Sequence, residues 1–104
     1  MDILVERWNG NLVAYEVKTA IAGASTGPGG LTADQRAGRG FVLDRLDRAE
    51  TATRGWQHMN GTTTQATAAD LRSRIDSGTP LSGAVLEVDC RTGTFSGFLQ
   101  SKWF

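Results

Sequence analysis

Two runs of β-branched, aromatic and aliphatic residues open the chain, Ile3 to Trp8 and Leu12 to Ile21, with Asn9-Gly10 between them. Both turn residues tolerate positive φ, so this pattern is the strongest short-range signal for a β-hairpin. The hairpin is expected over residues 2–21. Two registers are open to it. A two-residue Asn9-Gly10 loop pairs Asp2 with Val17. A three-residue loop, Trp8-Asn9-Gly10, with Gly10 left-handed in a G1 bulge, pairs Arg7 with Asn11 and sets Asp2 opposite Glu16.

Residues Gly23 to Gly30 are small and turn-prone and read as a loop. Beyond it, Thr32 followed by Gln35 fits a capping box and predicts a helix start. Val42, Leu46 and Ala49 then recur on one helical face. Gly38 and Gly40 weaken the first half of that helix by about 1 kcal/mol each relative to Ala, or admit a close approach. Residues Gly55 to Thr64 form a polar connection. A second helix is expected over Gln65 to Asp76, with Ala68, Leu71 and Ile75 inward and Gly78 beyond its end. Together the helical part spans residues 32–76.

Strand character returns in Ala84 to Cys90 and Thr94 to Leu99, with Arg91-Thr92-Gly93 as the turn of a second hairpin over residues 84–99. Lys102-Trp103-Phe104 follows as an aromatic tail. The expected architecture is α+β: hairpin, two helices, second hairpin, and a mixed sheet, in a single domain over residues 1–104.

Composition narrows the function. The 104 residues carry 11 Lys+Arg against 11 Asp+Glu, a formal net charge of zero. That balance excludes a protein that holds nucleic acid or anionic membrane by net charge alone. It leaves room for a local site. One cysteine, Cys90, excludes an internal disulfide and a cysteine-rich zinc site. No spanning segment is visible, because the longest apolar-leaning stretch, Leu12 to Ala24, is broken by Glu16 and Lys18 and is too short to cross a bilayer. No signal peptide is visible either, so a cytoplasmic site of action is expected.

The chemistry-bearing pattern is Asp2 with Glu16-Val17-Lys18. On a strand, residues i and i+2 share a face, so Glu16 and Lys18 stand side by side. Under the three-residue loop Asp2 joins them. Two carboxylates and a backbone carbonyl supply the hard oxygen donors that Mg²⁺ or Mn²⁺ prefers. A neighbouring ammonium can orient a water or stabilise charge that develops on a phosphate. The plain alternative is a solvated strand face with an ion pair worth under about 1 kcal/mol.

Asp2, Glu16-x-Lys18 and the helix opening Leu31-Thr32-Ala33-Asp34-Gln35 together resemble the PD-(D/E)xK nuclease superfamily, in particular its small restriction-endonuclease-fold members, including bacterial toxin domains. The matching stretch runs from Asp2 to about Gln35, a third of the chain, and helix Gly40 to Ala49 continues it. The resemblance implies a Mg²⁺- or Mn²⁺-dependent nuclease acting on DNA or RNA. Asp2 and Glu16 would hold the metal with the Val17 carbonyl, Lys18 would be the catalytic lysine, and Gln35 would contact water or phosphate. For a toxin-type member it also implies a cognate immunity protein as partner. Met1 stands where the family pattern has Pro. The family core usually begins with a helix and a strand before the Asp, so the core is expected to be incomplete at its N-terminus, or completed by the C-terminal hairpin or another chain.

The remaining polar residues divide more simply. Arg45, Arg48 and Arg54 are interleaved with Asp44, Asp47 and Glu50 and read as surface ion pairs. Arg36 and Arg39 lie near Gln35 and are candidate phosphate contacts. His58 reads as a loop residue, Cys90 as a small buried apolar residue, and Trp103 and Phe104 as aromatics that close a core or an interface. The competing functional class is a non-catalytic interaction module that works by strand-mediated association, for example as a homodimer.

Overall fold

The structure is a computed structural model that describes residues 2–20, 31–90 and 97–104; the side chains of Ala20 and Phe98 are also left undescribed. The expected loop Gly23 to Gly30 and turn Arg91-Thr92-Gly93 lie outside the described residues. Strands β1 (Ile3–Glu6) and β2 (Leu12–Ala20) are followed by a short 3-10 turn (Gln35–Ala37) and helix α1 (Arg39–Thr51). A second 3-10 turn (Gln57–Met59) leads to helix α2 (Thr63–Asp76), then strands β3 (Leu81–Asp89) and β4 (Gly97–Lys102). The four strands form one mixed sheet in the order β1-β2-β3-β4. The pairs β1–β2 and β3–β4 are antiparallel, and β2–β3 is parallel. The helices supply the long crossover that a parallel pair requires. This is the expected α+β layout.

The hairpin takes the three-residue register. Ile3 pairs with Tyr15 and Glu6 with Leu12, Arg7 N donates to the Asn11 carbonyl at 2.8 Å, and Gly10 sits at φ +87°. Gly10 N donates to the Arg7 carbonyl at 2.8 Å and Asn9 Oδ1 accepts from Asn11 N at 3.0 Å, which closes the turn.

Alternation along the strands decides what is buried. Leu12 and Ala14 of β2 face the helices and pack with Phe41, Val42, Leu46 and Ala49 of α1 and Ala68 and Ile75 of α2. Leu4, Leu71, Trp103 and Phe104 close the margins of this core. Leu12, Val42 and Val85 are fully buried, and each such side chain contributes roughly 1.5–3 kcal/mol of burial free energy.

Helix α1 departs from its expected start. The Thr32/Gln35 capping box forms, with Thr32 Oγ1 accepting from Gln35 N at 3.2 Å and Gln35 Oε1 accepting from Thr32 N at 3.0 Å. It opens only the 3-10 turn, because Gly38 at φ +59° interrupts the chain before α1 begins. The break makes room for Phe104: a Cβ at position 38 would meet the Phe104 Cβ at 3.1 Å. Helix α2 starts two residues before the expected Gln65, and Thr62 caps it by accepting from Gln65 N. Gln65 Nε2 donates to the Glu50 carbonyl at 2.9 Å, tying the start of α2 to the end of α1.

Candidate active site

Glu16 lies on the helix-facing side of β2 and is 4% exposed. A carboxylate at that depth is costly unless it is hydrogen-bonded or paired. Both conditions hold. Gln35 Nε2 donates to Glu16 Oε1 at 2.7 Å, and the Lys18 ammonium lies 3.4 Å from the same oxygen. Lys18 Nζ also donates to Gln35 Oε1 at 2.9 Å. One amide therefore bridges the carboxylate and the ammonium, while the capping box fixes where that amide can stand. The Gln35 backbone is held as well, since Trp103 Nε1 donates to its carbonyl at 2.8 Å. Trp103 packs against Phe41 and Phe104, with ring centroids 5.8 and 5.3 Å away.

Asp2 enters from the hairpin partner. Its N–H donates to the Tyr15 carbonyl at 2.9 Å, and its Oδ2 accepts from Val17 N at 2.7 Å. Asp2 is thereby held between Tyr15 and Val17, opposite Glu16, as the three-residue register requires. A strand residue in a hydrogen-bonded antiparallel position directs its N–H and C=O to the same side. The Val17 carbonyl therefore also faces the edge where Asp2 sits.

Sequence reasoning missed two members of this neighbourhood. Glu87, 8% exposed, pairs with Lys18 across the parallel β2–β3 ladder. Register partners in a sheet share a face at roughly 4.8 Å separation, so Glu87 projects beside Lys18. A charged residue at an inward position of an apolar strand was the available signal. Its neighbour became known only with the long-range β2–β3 pairing. The other omission is Trp103, whose indole supports Gln35.

The candidate phosphate contacts separate. Arg36 follows Gln35 directly and is exposed. Arg39 is exposed too, and its Nη1 points to the Leu81 carbonyl at 3.5 Å. Leu81 pairs with Leu12, at the opposite end of the β2–β3 ladder from Lys18. Arg48 pairs with Asp44 at i,i+4, and Arg54 bridges Asp44 and Asp47, so these arginines are surface ion pairs as expected. His58 is exposed and stacks on Trp56 at 6.4 Å. Cys90 lies just past β3 and is half-buried rather than fully enclosed.

Among the described residues no set of three or more His, Cys, Asp and Glu side chains converges on a metal position. Mg²⁺ does not need such a set: it is commonly held by one or two carboxylates, with waters and substrate phosphate completing the shell. Asp2 and Glu16, opposite each other with the Val17 carbonyl alongside, have the donor chemistry for such a cation.

Comparison with protein-family models, with curated proteins and with solved structures finds no match to this chain. Among the described residues no helix is long and apolar enough to cross a membrane.

Proposed function

We propose that this chain is a metal-dependent nuclease of the PD-(D/E)xK type, a toxin or effector module that hydrolyses phosphodiester bonds of DNA or RNA. One observation carries the reading. Glu16 and Lys18 of β2 and Gln35 from a separate element form a single hydrogen-bonded unit in a water-poor position, and Asp2 stands across the hairpin from Glu16. A surface ion pair does not account for a nearly buried carboxylate bridged by a glutamine from another element.

The residues divide the work by type. Asp2, Glu16 and the Val17 carbonyl would hold Mg²⁺ or Mn²⁺, which supplies an activated water and neutralises charge on the scissile phosphate when bound. Lys18, whose side chain is 18% exposed, can reach solvent while Gln35 fixes its ammonium. It would orient the attacking water or stabilise charge on the phosphorane. Gln35 holds both charged groups in register, and Arg36 would contact the phosphate backbone, with Arg39 further along. On this reading the protein would act in the cytoplasm, and a toxin of this kind would be restrained by a cognate immunity protein.

Calorimetric titration with Mg²⁺ and Mn²⁺, beside incubation with plasmid, single-stranded DNA and tRNA, tests the reading. Binding that Glu16→Gln abolishes, with cleavage that EDTA stops, supports it. Absence of both rejects it.

A second reading has one specific observation behind it. Both helices pack on the same side of the sheet, while edge strand β1 presents Ile3 and Val5 at 49% and 38% exposure. An exposed apolar edge is suited to strand-mediated association. A dimeric mass in solution with no metal binding would favour that module over the enzyme.

A further inference from the structure

Trp8 is 99% exposed at the tip of the β1–β2 hairpin. The turn that carries it is braced. Arg74 of α2 donates to the Gly10 carbonyl at 3.1 Å and pairs with Glu6 at 3.1 Å, while Gly10 and Asn11 close the loop on Arg7 and Asn9. The indole is thus presented to solvent from a fixed backbone, with both faces open. Single exposed apolar residues are ordinary, but a large aromatic held out in this way loses little freedom when a partner stacks on it.

A groove of about 340 Å³ includes the neighbouring Arg7 in its lining, together with the polar residues Ser82, Gln100, Ser101 and Lys102. None of its lining residues among those described is acidic. In a chain of zero net charge, two cations with hydroxyl and amide donors and no carboxylate make a local anion-favouring surface. The groove adjoins Val13 and Ala84, whose strand positions alternate with the helix-facing Ala14 and Val85. It lies near the end of β2 farthest from Lys18. It is separate from the Glu16–Lys18–Gln35 site.

We propose that Trp8 and this groove form a binding surface for single-stranded nucleic acid. A base stacks on the Trp8 indole, and successive phosphates lie against Arg7 and Lys102. An aromatic platform beside a cationic track is the physical requirement for sequence-tolerant single-strand binding. The assignment stands apart from hydrolysis, because the surface would hold a strand whether or not the protein cuts it.

The test is fluorescence anisotropy of a labelled single-stranded oligonucleotide in EDTA, in the Lys18→Ala background, across a salt series. Cleavage cannot then confuse the result, and failure of the nuclease reading leaves the measurement intact. Trp8→Ala is expected to weaken binding on the order of tenfold, the loss of one stacked base. Trp8→Phe, which keeps a ring face, should retain most of the affinity, and Trp8→Leu should not. Arg7→Ala and Lys102→Ala should each weaken binding and flatten the salt slope by about 0.7. Circular dichroism confirms that these exposed variants stay folded. The proposal is overturned if the parent fails to bind, or if the Trp8 and cation variants bind as the parent does. Trp8-dependent binding to anionic phospholipid vesicles, with no binding to the oligonucleotide, also overturns it.

Discussion

Gln35 Nε2 donates to Glu16 Oε1 at 2.7 Å, joining the start of the helical part to a strand nineteen residues earlier in the chain. The same side chain accepts from Lys18 Nζ through its other terminal atom. Gln35 therefore bridges a buried carboxylate and an ammonium on one strand face. Replacing it with Leu, which cannot hydrogen-bond, removes the bonds to Glu16 and Lys18 and half of the Thr32 capping box. Hydrogen bonds to charged groups are worth roughly 1.5–3 kcal/mol each, and a buried group left short of partners costs a similar amount. Gln35→Leu is expected to lower stability by about 2–3 kcal/mol in urea unfolding. A loss below about 0.5 kcal/mol, the level of an ordinary surface substitution, would show that Glu16 is satisfied without it.

Gly83 lies under the Phe104 ring. A Cβ added there would meet ring atoms at 2.3–2.9 Å, and backbone bonds between Gly83 and Trp103-Phe104 keep the tail in place. Gly83→Ala is expected to cost roughly 1–3 kcal/mol by overpacking. In a Phe104→Ala background the same substitution should cost much less, because the clashing ring is gone. Equal costs in the two backgrounds, read from a double-mutant cycle, would contradict the contact.

Helix α1 is capped at its C-terminal end by Ala52, a non-glycine residue at φ +51° whose N–H donates to the Arg48 carbonyl. The left-handed cap suits glycine, since Cβ crowds the following carbonyl there. Ala52→Gly is expected to stabilise the protein by about 0.5–1 kcal/mol, after allowing for the extra chain entropy glycine brings to the unfolded state. A lower melting temperature for that variant would contradict the cap geometry.

Local chemistry made much of this legible in the sequence. Asn9-Gly10 marks the first turn, and counting back from a three-residue loop brings Asp2 to Glu16. The polar alternation of Glu16 and Lys18 sets their shared face. The inward residues Val42, Leu46, Ala49, Ala68 and Ile75 follow from helical period, and Trp103 and Phe104 do close the core. The helix start was misplaced because a capping box signals only that a turn begins. Whether a helix continues depended on Gly38, whose conformation is coupled to Phe104, far off in sequence. Glu87 stayed hidden for the same kind of reason. Its place beside Lys18 comes from the parallel β2–β3 register, a long-range pairing that no short stretch of either strand encodes.

The central claim is that the Asp2, Glu16, Lys18 and Gln35 cluster hydrolyses phosphodiester bonds with a divalent cation. Cleavage of plasmid, single-stranded DNA and tRNA by the parent and by Lys18→Ala, each with Mg²⁺, Mn²⁺ or EDTA, tests it most directly. Lys18 is partly exposed, so the variant should stay folded, which circular dichroism verifies. The account predicts that the parent cuts at least one substrate with metal and none with EDTA, and that Lys18→Ala loses about a hundredfold or more of that rate, the scale of one electrostatic transition-state contact. Metal-dependent cutting by Lys18→Ala at the parent's rate, or no cutting by the parent under any condition, would contradict it.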